Sequence, residues 1–331
     1  MRSSASFHRA KGFGGYRRAI VRLVALAWMP LIGCSALKPQ VARQTPDELR
    51  AMLAKRLPGQ SPSSIVVPHE ISASYVDDAR IFVQEHLPPK STVEDRVRAL
   101  LQLLSSPTGF ALRYEWAATR SADDTIDQGG GSCLSLSAVL IGLARGLGIE
   151  AYYVDASNIA SDKRKDGEVT VHSGHIAVLL VYRRNKAFVD FAGEITDGTH
   201  SRRLEDAEIV AHYYNNRGYE LIHNAQVEKR AVPWNDALVQ FRIAAKVSPT
   251  FALAWNNVGL ALARLDRNKE ALLAFRHALT LNPSLEAASA NIDTLTERDR
   301  MADVERAYAK TKSIKWKSSA APVNWKIRRL E

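Results

Sequence analysis

Apolar positions along this chain pass through three regimes. In the first they recur at helical spacing. Leu49, Met52, Leu53 and Leu57 share one face, and so do Val93, Val97, Leu100, Leu101 and Leu104. Each stripe follows a start signal. Thr45-Pro46-Asp47-Glu48 supplies a cap, a proline at the first helical position and the acid of a capping box; Ser91 and Glu94 offer a second box. Pro58 to Pro68 reads as a linker, and Asp77 to His86 as a helix ending before Pro88-Pro89. Pro107-Thr108-Gly109 breaks the second stripe. In the middle regime Leu134 to Leu147 is apolar nearly all round, the pattern of a core helix, and Gly148 ends it. Ala151 to Val154 reads as a strand and Asn158 to Gly167 as a polar loop. His175 to Tyr182 and Ala187 to Phe191 read as a hairpin around Arg183 to Lys186. A buried helix followed by antiparallel strands predicts an α+β fold.

Beyond residue 215 the pattern is wholly helical and repeats. Ala237, Phe241, Ala244 and Pro249 recur 34 positions later as Ala271, Phe275, Ala278 and Pro283. Trp255, Gly259 and Leu262 occupy matching first-helix positions of the second copy. Small residues let two helices approach, the phenylalanines fill the gap, and proline stops the second helix. This resembles the tetratricopeptide repeat, a helical hairpin of the same period. One copy runs over about 218–251, keeping clearly only its second helix; another runs over about 252–285, and residues 286–319 cap the stack. The resemblance implies a groove that holds a peptide or protein partner. Because such units usually need about three copies for stability, this array is expected to lean on the preceding domain.

Charge and composition sharpen the picture. The chain has 331 residues, 46% hydrophobic and 24% charged, a globular composition. Its net charge of +10 sits at the ends. Residues 1–33 hold Arg2, Arg9, Lys11, Arg17, Arg18 and Arg22 with no acid, and the stretch from Lys310 to Glu331 is strongly basic, leaving the middle close to neutral. That argues against a nucleic-acid-binding body. The basic tail is either a solvated end or a contact for anionic lipid. Leu23 to Ile32 is an apolar run of signal-peptide length, too short for a bilayer span of about 20 residues. Leu31-Ile32-Gly33-Cys34 follows at once and resembles the bacterial lipobox. That resemblance implies a lipidated Cys34 and, with Ser35 next, placement at the outer membrane facing the periplasm, with Lys38 to Gln44 as tether. The alternatives are an ordinary cleaved signal peptide or a core cysteine.

The chain has two cysteines. If Cys34 is acylated, Cys133 lacks a disulfide partner, and a lone thiol in an oxidising compartment is a liability unless buried or used. Glycines precede Cys133 and a helix follows it. The helix dipole favours a thiolate there, and the Cys133 N–H could serve an oxyanion. Asp190 lies on the strand after the one that His175 opens. Hairpin parity puts the two on one face but not directly opposite, so a bulge or twist is expected to bring them together. His172 is an alternative base on a loop, and Glu194 an alternative carboxylate. Cys133 as a structural thiol and His175 as a satisfied core histidine are the competing readings. A metal site at His172 and His175 lacks further ligands at sensible spacing.

Gly131-Ser132-Cys133, the helix ending Arg145-Gly146-Leu147-Gly148-Ile149, Gly174-His175 and Phe188-Val189-Asp190 resemble the transglutaminase-like, papain-related core over about residues 75–200. The resemblance implies a papain-like α+β fold with Cys133 as nucleophile, His175 as base and Asp190 as third member, and Gln128 as a second oxyanion donor. It implies neither cofactor nor metal. Ser135 stands where relatives often carry an acid, and no aromatic follows the histidine. The expected organisation is a signal peptide over 1–33, a tether and helix over 34–70, a transglutaminase-like domain over 71–212, repeats over 213–300, and a cap with basic tail over 301–331. The expected function is a membrane-anchored enzyme that cleaves or transfers an amide acyl group through a Cys133 thioester; the alternative is an inactive scaffold that binds partners through its repeats.

Overall fold

The computed structural model describes residues 44–156, 162–166, 169–173, 175–182, 185–192 and 202–313. Cys34, Glu194 and the basic tail beyond Ser313 lie outside them. The first helix, α1 (Pro46–Ala54), forms where its signals stand. Thr45 accepts from the Glu48 N–H and Glu48 reaches back, closing the capping box, and Leu49 and Leu53 are buried. A short 3-10 turn at Pro62–Ser64 interrupts the predicted linker, and Ile65 and Val67 after it are buried. Helix α2 (Ala73–His86) begins ahead of its predicted start. Helix α3 (Val93–Ser105) buries the predicted stripe, but its box is Thr92 with Asp95, one residue on from Ser91 and Glu94. After β1 (Arg113–Tyr114), α4 (Ala122–Asp127) and β2 (Gly130–Gly131) comes α5 (Cys133–Gly146), buried from Cys133 through Ala144.

The strands are β3 (Glu150–Asp155), β4 (Asp162–Asp166), β5 (Val169–Ser173), β6 (Ile176–Tyr182), β7 (Asn185–Val189) and β8 (Arg202–Arg203). Four of them form an antiparallel sheet in the order β7-β6-β3-β8. Ile176, Val178, Leu180 and Val189 join the α5 residues in the main core, while Ala177, Leu179 and Phe188 pack with Val154 and Ala156 in a second, smaller cluster. Strand alternation thus gives the sheet two apolar faces. Within the segment expected to be a polar loop, residues 162–166 instead form β4, which pairs with β5 in a separate two-stranded sheet, and His172 lies on β5 opposite Lys163.

Five helices complete the described residues: α6 (Asp206–Val227), α7 (Trp234–Val247), α8 (Ala252–Arg264), α9 (Asn268–Leu281) and α10 (Glu286–Ser313). They pack sequentially, α6 on α7, α7 on α8, α8 on α9 and α9 on α10. The ring of Phe241 fills the space over Gly218, where an added Cβ would come within 2.6 Å of it, and Phe275 does the same over Gly259. Therefore α6 is the first helix of the first copy. The expected boundary between residues 212 and 213 falls inside it. Buried asparagines step between successive first helices: Asn257 donates to Asn215 at 2.9 Å and Asn291 to Asn256 at 3.0 Å. The described chain is thus α+β with a helical-repeat half. A single apolar core runs from Leu49 on α1 to Leu295 on α10. Strand β5 also packs on α8 and α10. Among the described residues, no helix is long and apolar enough to cross a membrane.

Candidate functional site

Cys133 is the first residue of α5, with Ser132 as an extended N-cap. The approach to it is built from glycine because nothing larger fits. A Cβ on Gly131 would stand 2.6 Å from Ser135 Cβ, one turn up the same helix. Gly130 and Gly131 pair in parallel with Arg113 and Tyr114, which fixes the path into the helix. Segment 118–120 then ties down the first turn. The Ser132 N–H donates to the Ala118 carbonyl at 2.8 Å, and the Ser135 hydroxyl donates to the same oxygen at 3.1 Å. The Arg120 N–H donates to Ser135 Oγ at 2.8 Å. Ser135, the position that departs from the transglutaminase-like pattern, is therefore a fully buried brace.

His175 immediately precedes β6, and Asp190 immediately follows β7. The β6–β7 register pairs Val178 with Val189; one step on, Asp190 stands across from Ala177, two residues along from His175. That is a diagonal pair, separated by about 7–8 Å between backbones and within reach of a long side chain. The imidazole spans the gap without a bulge: His175 Nε2 lies 2.9 Å from Asp190 Oδ1. The Ala192 N–H donates to the same carboxylate oxygen at 3.0 Å and holds it in place. Cys133 acts on the same ring, raising its pKa together with Asp190.

All three groups are buried, with Cys133 at 8% exposure. Burial works against a charged imidazole, but the hydrogen bonds to Asp190 and then Cys133, with their charges, outweigh it and push the His175 pKa up to about 10. Such a buried, strongly perturbed group with specific partners marks a functional-site candidate. The arrangement offers a sulfur nucleophile, a ring that can hold or donate a proton, and a carboxylate that orients the ring.

Gln128 is exposed at the C-cap of α4, its N–H spent on the Asp124 and Ile126 carbonyls. His172 is on the separate hairpin, and Glu194 is outside the described residues. Among the described residues no group of three or more His, Cys, Asp or Glu side chains is assembled that could hold a metal ion. What the pattern did not reveal is Glu220 of α6, buried beside the site. It accepts the Thr119 N–H through Oε1 and pairs with Arg217 at 2.9 Å through Oε2. Burial raises its pKa against those two partners. The signal that could have found this helix is local: Asn215-Asn216-Arg217-Gly218 returns as Asn256-Asn257-Val258-Gly259.

No family model matches the chain. It is similar to the tetratricopeptide repeat domain-containing protein PYG7 of the Arabidopsis thaliana chloroplast, 28% identical over 96 residues, which is 29% of this chain and 30% of that protein. It is also similar to the peroxisomal targeting signal receptors of Kluyveromyces lactis and Candida glabrata, each 42% identical over 52 residues, 16% of this chain and 9% of each receptor. The chain therefore spans a third or less of these relatives. The similarity to tetratricopeptide proteins agrees with the stacked helical hairpins.

Proposed function

We propose that this chain binds a protein or peptide through its tetratricopeptide-like helices and acts on an amide through a Cys133 thioester, as a transglutaminase-like, papain-related enzyme held at the bacterial outer membrane by a lipidated Cys34. The observation that carries the catalytic part is the buried trio of Cys133, His175 and Asp190, in which the ring lies 2.9 Å from the carboxylate and both partners raise its pKa. An imidazolium stabilises a neighbouring thiolate, and the α5 N-terminus adds its dipole. The sulfur attacks the amide carbonyl carbon, the carbon–nitrogen bond breaks, and the imidazolium proton leaves on the amine. Water then gives its proton to His175 and its oxygen to the thioester, and the carbon–sulfur bond breaks. A lysine-like amine can replace water, giving transfer; hydrolysis is the default because water is everywhere. In this reading the transglutaminase-like unit, residues 71–212, shares α6 with the repeats.

The experiment is alkylation of Cys133 by iodoacetamide across pH, followed by peptide mass spectrometry. An ordinary thiol of pKa about 8.5 is well below about 1% ionised at pH 6. Reaction at pH 6 that is lost in His175→Ala supports the thioester reading; a rate that climbs only near pH 8.5 sinks it. A second reading, a protein-binding scaffold with an inert triad, is the one the comparisons favour, since the relatives found are tetratricopeptide and targeting-signal-receptor proteins. That reading predicts an unreactive Cys133.

A further inference from the structure

We infer that Glu220, on the first repeat helix, is a positioning residue for the Cys133 nucleophile; the inference rests on the thioester reading above. Glu220 is 5% exposed and stands 101 positions from Thr119, whose N–H it accepts. Arg217, one turn earlier on α6, donates to Glu220 at 2.9 Å and to the Thr119 carbonyl at 3.5 Å. Both backbone polar groups of Thr119 are thus held from the repeat helix. Its hydroxyl is 3.4 Å from the Ser132 hydroxyl, and the Ala118 carbonyl before it takes the Ser132 N–H and the Ser135 hydroxyl. Ser132 is the N-cap whose next residue is Cys133.

The chain of contact therefore runs from α6 through residues 118–120 to the residue that aims the thiol. A neutral acceptor would satisfy the Thr119 N–H. A buried carboxylate is a costly choice, and the cost is met by charge-assisted hydrogen bonds that are shorter and more directional than neutral ones. Directional restraint is what a nucleophile needs: a displacement of about 1 Å can cost a reaction about a hundredfold. The adjoining residue Gly218 seats Phe241 of α7, so the same turn of α6 faces both the repeat stack and the nucleophile loop.

The test is the pH profile of Cys133 alkylation by iodoacetamide in the intact chain, wild type against E220Q, with thermal melting as the folding check. Glutamine keeps the shape and one acceptor but loses the charge that holds Arg217. The expected result is a folded variant whose rate at pH 6 falls on the order of tenfold, a change of one unit in the midpoint toward that of a free thiol. A role confined to stability would lower the melting temperature and leave the midpoint in place. Should E220Q not fold, R217M, which removes only the half-exposed cation, reads the same profile and is expected to shift it in the same direction. A folded variant with the wild-type profile overturns the inference and leaves the thioester reading standing. A wild type that itself titrates as an ordinary thiol fails at the earlier step and sinks both.

Discussion

Gly218→Ala tests the assignment of α6 as a repeat helix through a change of one methyl group. In an exposed helix interior, replacing glycine with alanine stabilises by about 1 kcal/mol, because glycine loses more backbone entropy on folding. Here the new Cβ would stand 2.6 Å from Phe241 Cε1, 2.8 Å from Cδ1 and 3.0 Å from Cζ. Carbon atoms rest at about 3.5–4.0 Å, so the ring must retreat by about 1 Å. Phe241 is fully buried and has little room to do so. Overpacking of that kind costs about 1–3 kcal/mol. Overpacking therefore cancels the propensity gain and wins by up to about 2 kcal/mol. Phe241→Leu, destabilising by itself, removes the ring that the methyl meets. In that background Gly218→Ala should recover its stabilising sign, with a coupling energy of about 0.5–3 kcal/mol from the double-mutant cycle. Urea unfolding followed by circular dichroism measures all four proteins. Full stabilisation by Gly218→Ala alone, with no coupling to Phe241, would refute the pairing of α6 with α7.

Two further outcomes are expected. Folding raises the His175 pKa from 6.5 to about 10, so its contribution to stability is full below about pH 6.5, declines as the unfolded chain loses that proton, and is gone once pH has risen through about 10. The urea midpoint of wild type should exceed that of His175→Gln most at pH 6, and the difference should vanish above pH 10; a constant difference would contradict a protonated ring. The lipobox-like Leu31-Ile32-Gly33-Cys34 leads to the expectation that Cys34→Ser moves the chain from the membrane fraction to the soluble one on fractionation, and a variant still in the membrane fraction would count against the anchor.

Legibility in the sequence followed periodicity. The stripes of α1 and α3, the all-round apolar α5 and the alternating β6 and β7 each carry a pattern that one kind of packing explains. The β4 sequence Asp162-Lys163-Arg164-Lys165-Asp166 is wholly polar, so a period of two has nothing to show, and the segment reads as loop although it pairs. The first repeat helix hid for another reason. Helix α6 runs a turn further past Gly218 than α8 runs past Gly259, and residues 228–233 make a longer connection than residues 265–267, so the glycine-to-phenylalanine spacing that marks the second copy is stretched in the first. At the site, parity on the hairpin predicted a shared face for His175 and Asp190 but not their contact, because strand spacing says nothing of how far an imidazole reaches. Glu220 was beyond any local rule, since its partner Thr119 belongs to a different part of the chain.

The long-range contacts converge on α6. At its start Asp206 takes both guanidinium nitrogens of Arg145, at the far end of the Cys133 helix, at 2.8 and 2.9 Å. Along its length the Tyr214 hydroxyl accepts from the Val66 N–H at 3.1 Å, Gly218 receives Phe241, and Glu220 accepts the Thr119 N–H. Arg56, just past α1, adds a further tie by donating to the Val247 carbonyl at the end of α7 at 2.6 Å. Modules on a flexible tether cooperate by raising local concentration, with no fixed orientation between them. Here the apolar core is continuous from α1 to α10, so on the proposed reading a segment held by the repeats takes a defined orientation to the sulfur of Cys133. Part of the ordering entropy of a bimolecular encounter is then met by the fold itself, before any substrate arrives. The helix that completes the first repeat also holds residues 118–120, which brace the first turn of the Cys133 helix, and that contact is the physical ground for proposing that the repeats and the triad act as one device.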